Sequence, residues 1–308
     1  MDLDRVDPEL RAATRRVRLP DVSRRWIRSP LRFVTRVMPV PRIEGVRVDV
    51  RRVGAQRLRV YRPQERSGEA VLLWVHGGGL LFGDARQDER LCADTARDLG
   101  IVVVSANYRF APDHPFPAAH DDVYAAWGWL KAEAGRLGVD PARVVLGGES
   151  AGGGLAAGVA QRLRDEGGVQ PIGQWLFAPM IDDRTAADRS LDALDHAVWN
   201  NRHNRVGWTA YLGGPAGGGS VPPYAAPARR EDLTGLPPTY LAVGDIELFF
   251  AEVQGYAQRL AAAGVPTTLD VVPGGPHGFE SWARDTEPAR ALLSRARAWL
   301  RDVISTPA

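Results

Sequence analysis

The hydrophobic pattern changes character twice along the chain. In residues 1–45, Ile27, Leu31, Val34 and Met38 recur three or four positions apart, with Pro30 and Pro39 as punctuation, which predicts one or two amphipathic helices. Residues 46–53 instead alternate apolar and polar, and residues 57–61 follow after Gly54. That alternation predicts an antiparallel hairpin with one face against a core. Beyond residue 70 come six short apolar runs, at 71–75, 101–105, 144–146, 175–177, 240–243 and 269–272, separated by helix-like stretches. Runs apolar on both faces belong to strands covered on both faces, so the whole predicts an α/β fold: a mostly parallel sheet of eight strands with helices on either side. Residues 185–212 read as an inserted helical segment, and residues 213–223, rich in glycine and proline, as a surface loop.

Composition narrows this picture. The 308 residues, 44% hydrophobic and 25% charged, suit one large α/β domain, and no repeat or composition break marks a second one. The single cysteine, Cys92, excludes an intramolecular disulfide and argues against cysteine-based metal sites. No run approaches a membrane-spanning length, and the twin arginines Arg15-Arg16 and Arg24-Arg25 lack the apolar stretch of a secretory signal, so a cytoplasmic protein is expected. The net charge of +2 hides an asymmetry: residues 1–62 hold 17 arginines against 7 acids. These arginines are scattered and not interleaved with base-stacking aromatics, so the expectation is a solvated face, with neither nucleic acid nor membrane as partner.

The candidate chemistry sits at the ends of the apolar runs, where parallel sheets collect their sites. Gly148-Glu149-Ser150-Ala151-Gly152 closes one run and opens a helical stretch, the form of a nucleophile elbow, in which flanking glycines let backbones approach a strained serine. Chance supplies roughly 0.1 copies of that pattern in such a chain, so its company decides. His76-Gly77-Gly78-Gly79, much rarer by chance, ends the run at 71–75; its amides, from Gly77 and Gly78, together with that of Ala151, are candidates for an oxyanion hole, with His76 as an orienting residue of the loop. His277 follows the last run and is the candidate base, whereas His114, His120, His196 and His203 are read as structural or surface residues. The segment Val243-Gly244-Asp245-Ile246-Glu247-Leu248 offers two carboxylates, Asp245 and Glu247, to hold the imidazole. The order nucleophile, acid, histidine is that of hydrolases with a nucleophile elbow.

Residues 70–280 resemble the bacterial hormone-sensitive-lipase-like esterases of the α/β-hydrolase superfamily. The resemblance rests on the motifs at His76 and Ser150 and on Tyr108-Arg109-Phe110-Ala111-Pro112, whose proline-rich continuation is expected to turn into a helix starting near Asp122. It implies the α/β-hydrolase fold and a serine carboxylesterase that hydrolyses short to medium acyl esters, with no metal or organic cofactor. The same triad also serves amidases and deacetylases, and non-catalytic ligand-binding relatives exist; His277 argues against the last. Overlaid on the family's acidic segment, the catalytic position falls on Glu247 rather than Asp245. The resemblance further implies a cap formed by residues 1–45 and about 185–215, a pocket lined by Trp26, Phe33, Phe82, Trp199 and Trp208, and a homodimer formed through the last strand's edge or its helix. Two departures stand out: glutamate for the usual aspartate at position 247, and Gly154 where relatives commonly carry asparagine, which is expected to loosen the start of the elbow helix. No long exposed apolar segment points to interfacial activation.

Overall fold

A computed structural model describes residues 2–306. Its frame is one eight-stranded sheet in the order β1-β2-β4-β3-β5-β6-β7-β8. The hairpin β1 (Val46–Val53) and β2 (Gln56–Pro63) joins it antiparallel, with β2 running against β4 (Val102–Ala106). From there β3 (Val71–Val75), β5 (Val144–Glu149), β6 (Gly173–Phe177), β7 (Thr239–Gly244) and β8 (Thr267–Val272) run parallel. The helices are α1 (Arg11–Arg16), α2 (Arg25–Val37), α3 (Glu89–Leu99), α4 (Ala118–Ala132), α5 (Ala134–Leu137), α6 (Ala151–Glu166), α7 (Asp183–Ala187), α8 (Asn201–Leu212), α9 (Phe250–Ala262), α10 (Phe279–Trp282) and α11 (Glu287–Ser305).

Strand β3 explains why both faces must be covered. Val71, Leu73 and Val75 point into one core with Val123 and Trp127 of α4, Leu155 and Val159 of α6, and Val253 and Leu260 of α9. Leu72 and Trp74 point into the other, with Leu91 and Ala96 of α3 and Leu292 and Leu300 of α11. All five strand residues are fully buried, so the continuous apolar run is the signature of a strand between two helical layers.

Several boundaries differ from the sequence reading. Strand β5 runs on through Gly147 and Gly148 to Glu149, paired with Trp175, Leu176 and Phe177 of β6; a Cβ at Gly147 would lie 3.0 Å from Leu72, Trp74 and Trp175, so glycine serves the packing there instead of ending the strand. Helix α4 starts at Ala118, four residues before the expected Asp122, with Pro117 at its N-cap. The elbow helix begins at Ala151, directly after the serine. The inserted segment is only partly α-helical: α7 and α8 are separated by a 3₁₀ turn, Arg189–Ala193, and irregular chain.

Candidate active site

The loops after β3, β5, β7 and β8 meet at one edge of the sheet, because parallel strands deliver all their carboxyl ends to the same side. Ser150 joins β5 to α6 with φ 54° and ψ −122°, a conformation that costs an L-residue about 1–3 kcal/mol and persists only where surroundings over-determine it. Here they do. Its N–H donates to Phe177 O at 2.8 Å, and its carbonyl accepts from Gly154 N–H at 3.1 Å and Met180 N–H at 2.9 Å. The flanking glycines are required by contact: a Cβ at Gly148 would lie 2.5 Å from the Gly152 carbonyl, and one at Gly152 2.1 Å from Val75 O.

Ser150 Oγ lies 3.0 Å from His277 Nε2, and His277 Nδ1 lies 3.0 Å from Glu247 Oε2. All three residues are buried. The imidazole is further held by the edge-on ring of Phe249 and by Trp282 Nε1, which donates to the His277 carbonyl at 3.0 Å. Asp245 does something else: its Oδ1 accepts the Gly274 N–H at 2.7 Å and so ties β7 to the loop that carries the histidine. Of the two carboxylates, only Glu247 touches the imidazole.

The amides of Gly77, Gly78 and Ala151 donate to no protein acceptor among the described residues, and Gly77 packs closely enough that a Cβ would stand 3.4 Å from Ser150 Cβ. Ala151 opens a 16-residue helix, whose N-terminus favours negative charge. The glycine loop is fixed from several sides. The His76 ring stacks on Tyr108 with centroids 4.5 Å apart, its Nδ1 is 2.7 Å from Gly77 O, and Tyr108 Oη donates to His76 O at 3.1 Å. Burial pushes the His76 pKa down, in keeping with a neutral structural ring. At Gly79, whose φ is +58°, a Cβ would strike Trp199 at 2.0 Å, so the indole lies directly on the loop.

Beneath the elbow is a feature with no local sequence signal. Glu149, Asp88 and Glu280 are buried near one another, and burial first, then mutual repulsion, raises the first well above the usual carboxyl range. Burial pushes Asp88 and Glu280 up to about 7. Glu149 Oε2 accepts from Ser281 Oγ at 2.9 Å, and Asp88 Oδ2 accepts from Trp74 Nε1 at 2.7 Å. Of the other histidines, His120 is buried against Tyr224, and burial lowers the pKa of His196, which also feels the charge of Glu247. Among the five aromatics expected to line a pocket, Phe82, Trp199 and Trp208 are buried, whereas Trp26 and Phe33 are 68% and 65% exposed on α2 and face solvent. Among the described residues no group of histidine, cysteine and carboxylate side chains is arranged to hold a metal.

Gly154 also departs from expectation. Far from loosening the helix, it sits where a Cβ would lie 2.0 Å from Met180 O, so the absence of a side chain lets the chain after β6 press onto α6.

Comparison with known proteins follows the same outline. A family profile described as alpha/beta hydrolase fold matches residues 72–281. Carboxylic ester hydrolase LipN of Mycobacterium tuberculosis is 37% identical over 265 residues, 82% of this chain and 69% of that protein. Carboxylesterase NlhH of the same species is 32% identical over 275 residues, 85% of each. Among solved structures, a bacterial heroin esterase superposes with a TM-score of 0.91 at 34% identity, covering 99% of this chain and 100% of that one.

Proposed function

Because the chain belongs to the bacterial hormone-sensitive-lipase-like esterases of the alpha/beta hydrolase family and is a serine carboxylesterase, we propose that Ser150 is its nucleophile, His277 its general base and Glu247 the acid that orients the histidine and stabilises its protonated form. The observation that carries this reading is the pair of 3.0 Å contacts from Ser150 through His277 to Glu247. Ser150 Oγ attacks the ester carbonyl carbon while its proton passes to His277 Nε2, and the imidazolium is stabilised by Glu247. The oxyanion is met by the amides of Gly77, Gly78 and Ala151, which have no other acceptor among the described residues. Collapse expels the alcohol, which takes the proton from Nε2 and leaves an acyl-serine. Water, deprotonated by His277, then attacks the acyl carbon and releases the carboxylic acid and free serine.

The acyl group we assign is short to medium. Supporting this, Trp199 packs directly on Gly79, and Met180 and Trp199 lie beside Gly207 of α8, so bulky apolar side chains crowd the glycine loop. A series of p-nitrophenyl esters from acetyl to palmitoyl, set beside anilides and acetylated sugars, tests the reading. Turnover should peak at or below medium chain length and vanish in Ser150→Ala and His277→Ala. A preference for the anilides or acetylated sugars would replace carboxylesterase chemistry as the main activity, and full turnover in either variant would overturn the assignment of the residues. Cytoplasmic residence, with which the single cysteine is compatible, and pairing of two copies through the edge of β8 or its helix belong to the same proposal. A sedimentation mass of one chain at micromolar concentration would refute the pairing.

A further inference from the structure

Helix α2 is anchored on one side and bare on the other. Its inner side is tied to the site. Arg28 is buried and donates to Val22 O and Ser23 O; Arg32 donates to Leu81 O at 2.7 Å, to Ala111 O at 2.8 Å and to Asp113 at 2.6 Å. Leu81 in turn bonds to Gly78 of the oxyanion loop. The outer side presents Trp26, Phe33, Val34 and Val37, each more than half exposed. At a 100° turn per residue, Trp26, Phe33 and Val37 form one stripe with Val34 beside it.

The charge around this stripe is mostly positive, with Asp21 and Asp113 as the acids that face it. Residues 22–43 contain six arginines and no acid. Two of the six, Arg28 and Arg32, are spent on the inner anchoring, and Arg24 pairs with Asp21. Arg25 keeps an 85% exposed side chain, only 3.9 Å from Asp113, and Arg36 is exposed with no acidic partner among the described residues. An aromatic and aliphatic stripe flanked by exposed guanidinium groups is the composition of a helix that lies in the boundary between lipid headgroups and acyl chains. Burial of the same face in a symmetric dimer would set this basic segment against its own copy, which is electrostatically unfavourable.

We propose that α2 docks this protein on an anionic lipid surface, with Trp26, Phe33, Val34 and Val37 entering the headgroup boundary and Arg25 and Arg36 meeting lipid phosphates. This departs from the expectation, drawn from sequence alone, that the basic N-terminal region is a solvated face with no membrane partner. Arg32 then makes the docked helix a direct neighbour of the oxyanion loop, so the site is held close to the surface from which ester-bearing amphiphiles would come.

The test is co-sedimentation of the intact protein with vesicles of phosphatidylcholine alone and with vesicles containing about one third phosphatidylglycerol. The expected result is binding to the anionic vesicles only, reversed by raising the salt. Arg25→Gln with Arg36→Gln should weaken partitioning about 30-fold, and Trp26→Ser with Val37→Ser about tenfold or more. Turnover of a water-soluble ester without vesicles should be unchanged in both double variants, which also establishes that they fold. The proposal is overturned if the wild-type protein ignores both vesicle types or binds both equally. It is also overturned if both folded variants bind like wild type, or if the face instead drives a concentration-dependent dimer lost in Trp26→Ser with Val37→Ser.

Discussion

Replacing Glu247 by glutamine while leaving Asp245, and the reverse, separates two carboxylates only two positions apart. Glu247 Oε2 is 3.0 Å from His277 Nδ1 in a buried site, so the charge on the imidazolium formed during attack is met at roughly 4 Å between charge centres. With an effective dielectric constant of about 20, that pair contributes about 4 kcal/mol, close to three decades in rate. An amide at this position also permits the wrong imidazole tautomer, a change that costs about 10⁴ in kcat in a serine protease. Glu247→Gln should therefore lower kcat by about 10³–10⁴ with little change in KM. Asp245→Asn keeps an oxygen able to accept the Gly274 N–H and loses only the charge assistance, about 1 kcal/mol, so kcat should fall less than tenfold. Steady-state hydrolysis of p-nitrophenyl acetate, on variants matched by circular dichroism and melting temperature, reads the difference. If Asp245→Asn proves the more damaging, the assignment of Glu247 to the imidazole is wrong.

Two further outcomes follow from burial and contact. Gly154→Asn, although it brings the chain closer to its relatives' pattern, should cost about 2 kcal/mol or more, because a Cβ there meets backbone at Met180 O; a melting temperature within 1 °C of wild type would contradict this. Glu280 has its pKa raised by burial to about 7 from an unfolded value near 4.5, so the folded state binds a proton that the unfolded state releases. Its contribution is fully present below about pH 4 and is lost as pH rises through 7. Glu280→Gln should flatten the fall in stability between pH 5 and 8 and raise the melting temperature at pH 8 by several degrees, as followed by scanning calorimetry; an unaltered pH slope would count against a protonated buried carboxyl.

The strands were legible because a strand buried on both faces has nowhere to place a polar residue, and β3 reads so from its first residue to its last. The ends were less so. Thr267 and Thr268 extend β8 through backbone pairing with Thr239 and Tyr240, which asks nothing apolar of them. The order of Ser150, the acidic segment and His277 was readable in the motifs, but what each acid touches was not. Asp245 and Glu247 differ only in which backbone or ring they reach, and that depends on where Gly274 and His277 come to rest. The same holds for Asp88 and Glu280, which share no local pattern and become neighbours only when α3 and the chain after β8 pack under β5. Leu31 and Phe33 of helix α2 both belong to its apolar side, so periodicity alone could not say that Leu31 would face the core and Phe33 the solvent.

The relay assembled from the ends of β5, β7 and β8 has a consequence for how the protein is made. Ser150 leaves the ribosome 127 residues ahead of His277, a lag of roughly 6 to 25 s at ordinary elongation rates. On the proposed assignment, the nascent chain carries during that interval a nucleophile without its base. Reactivity toward a serine-directed phosphonate thus reports completion of the fold, switching on only once β8 has docked and brought the histidine to the elbow.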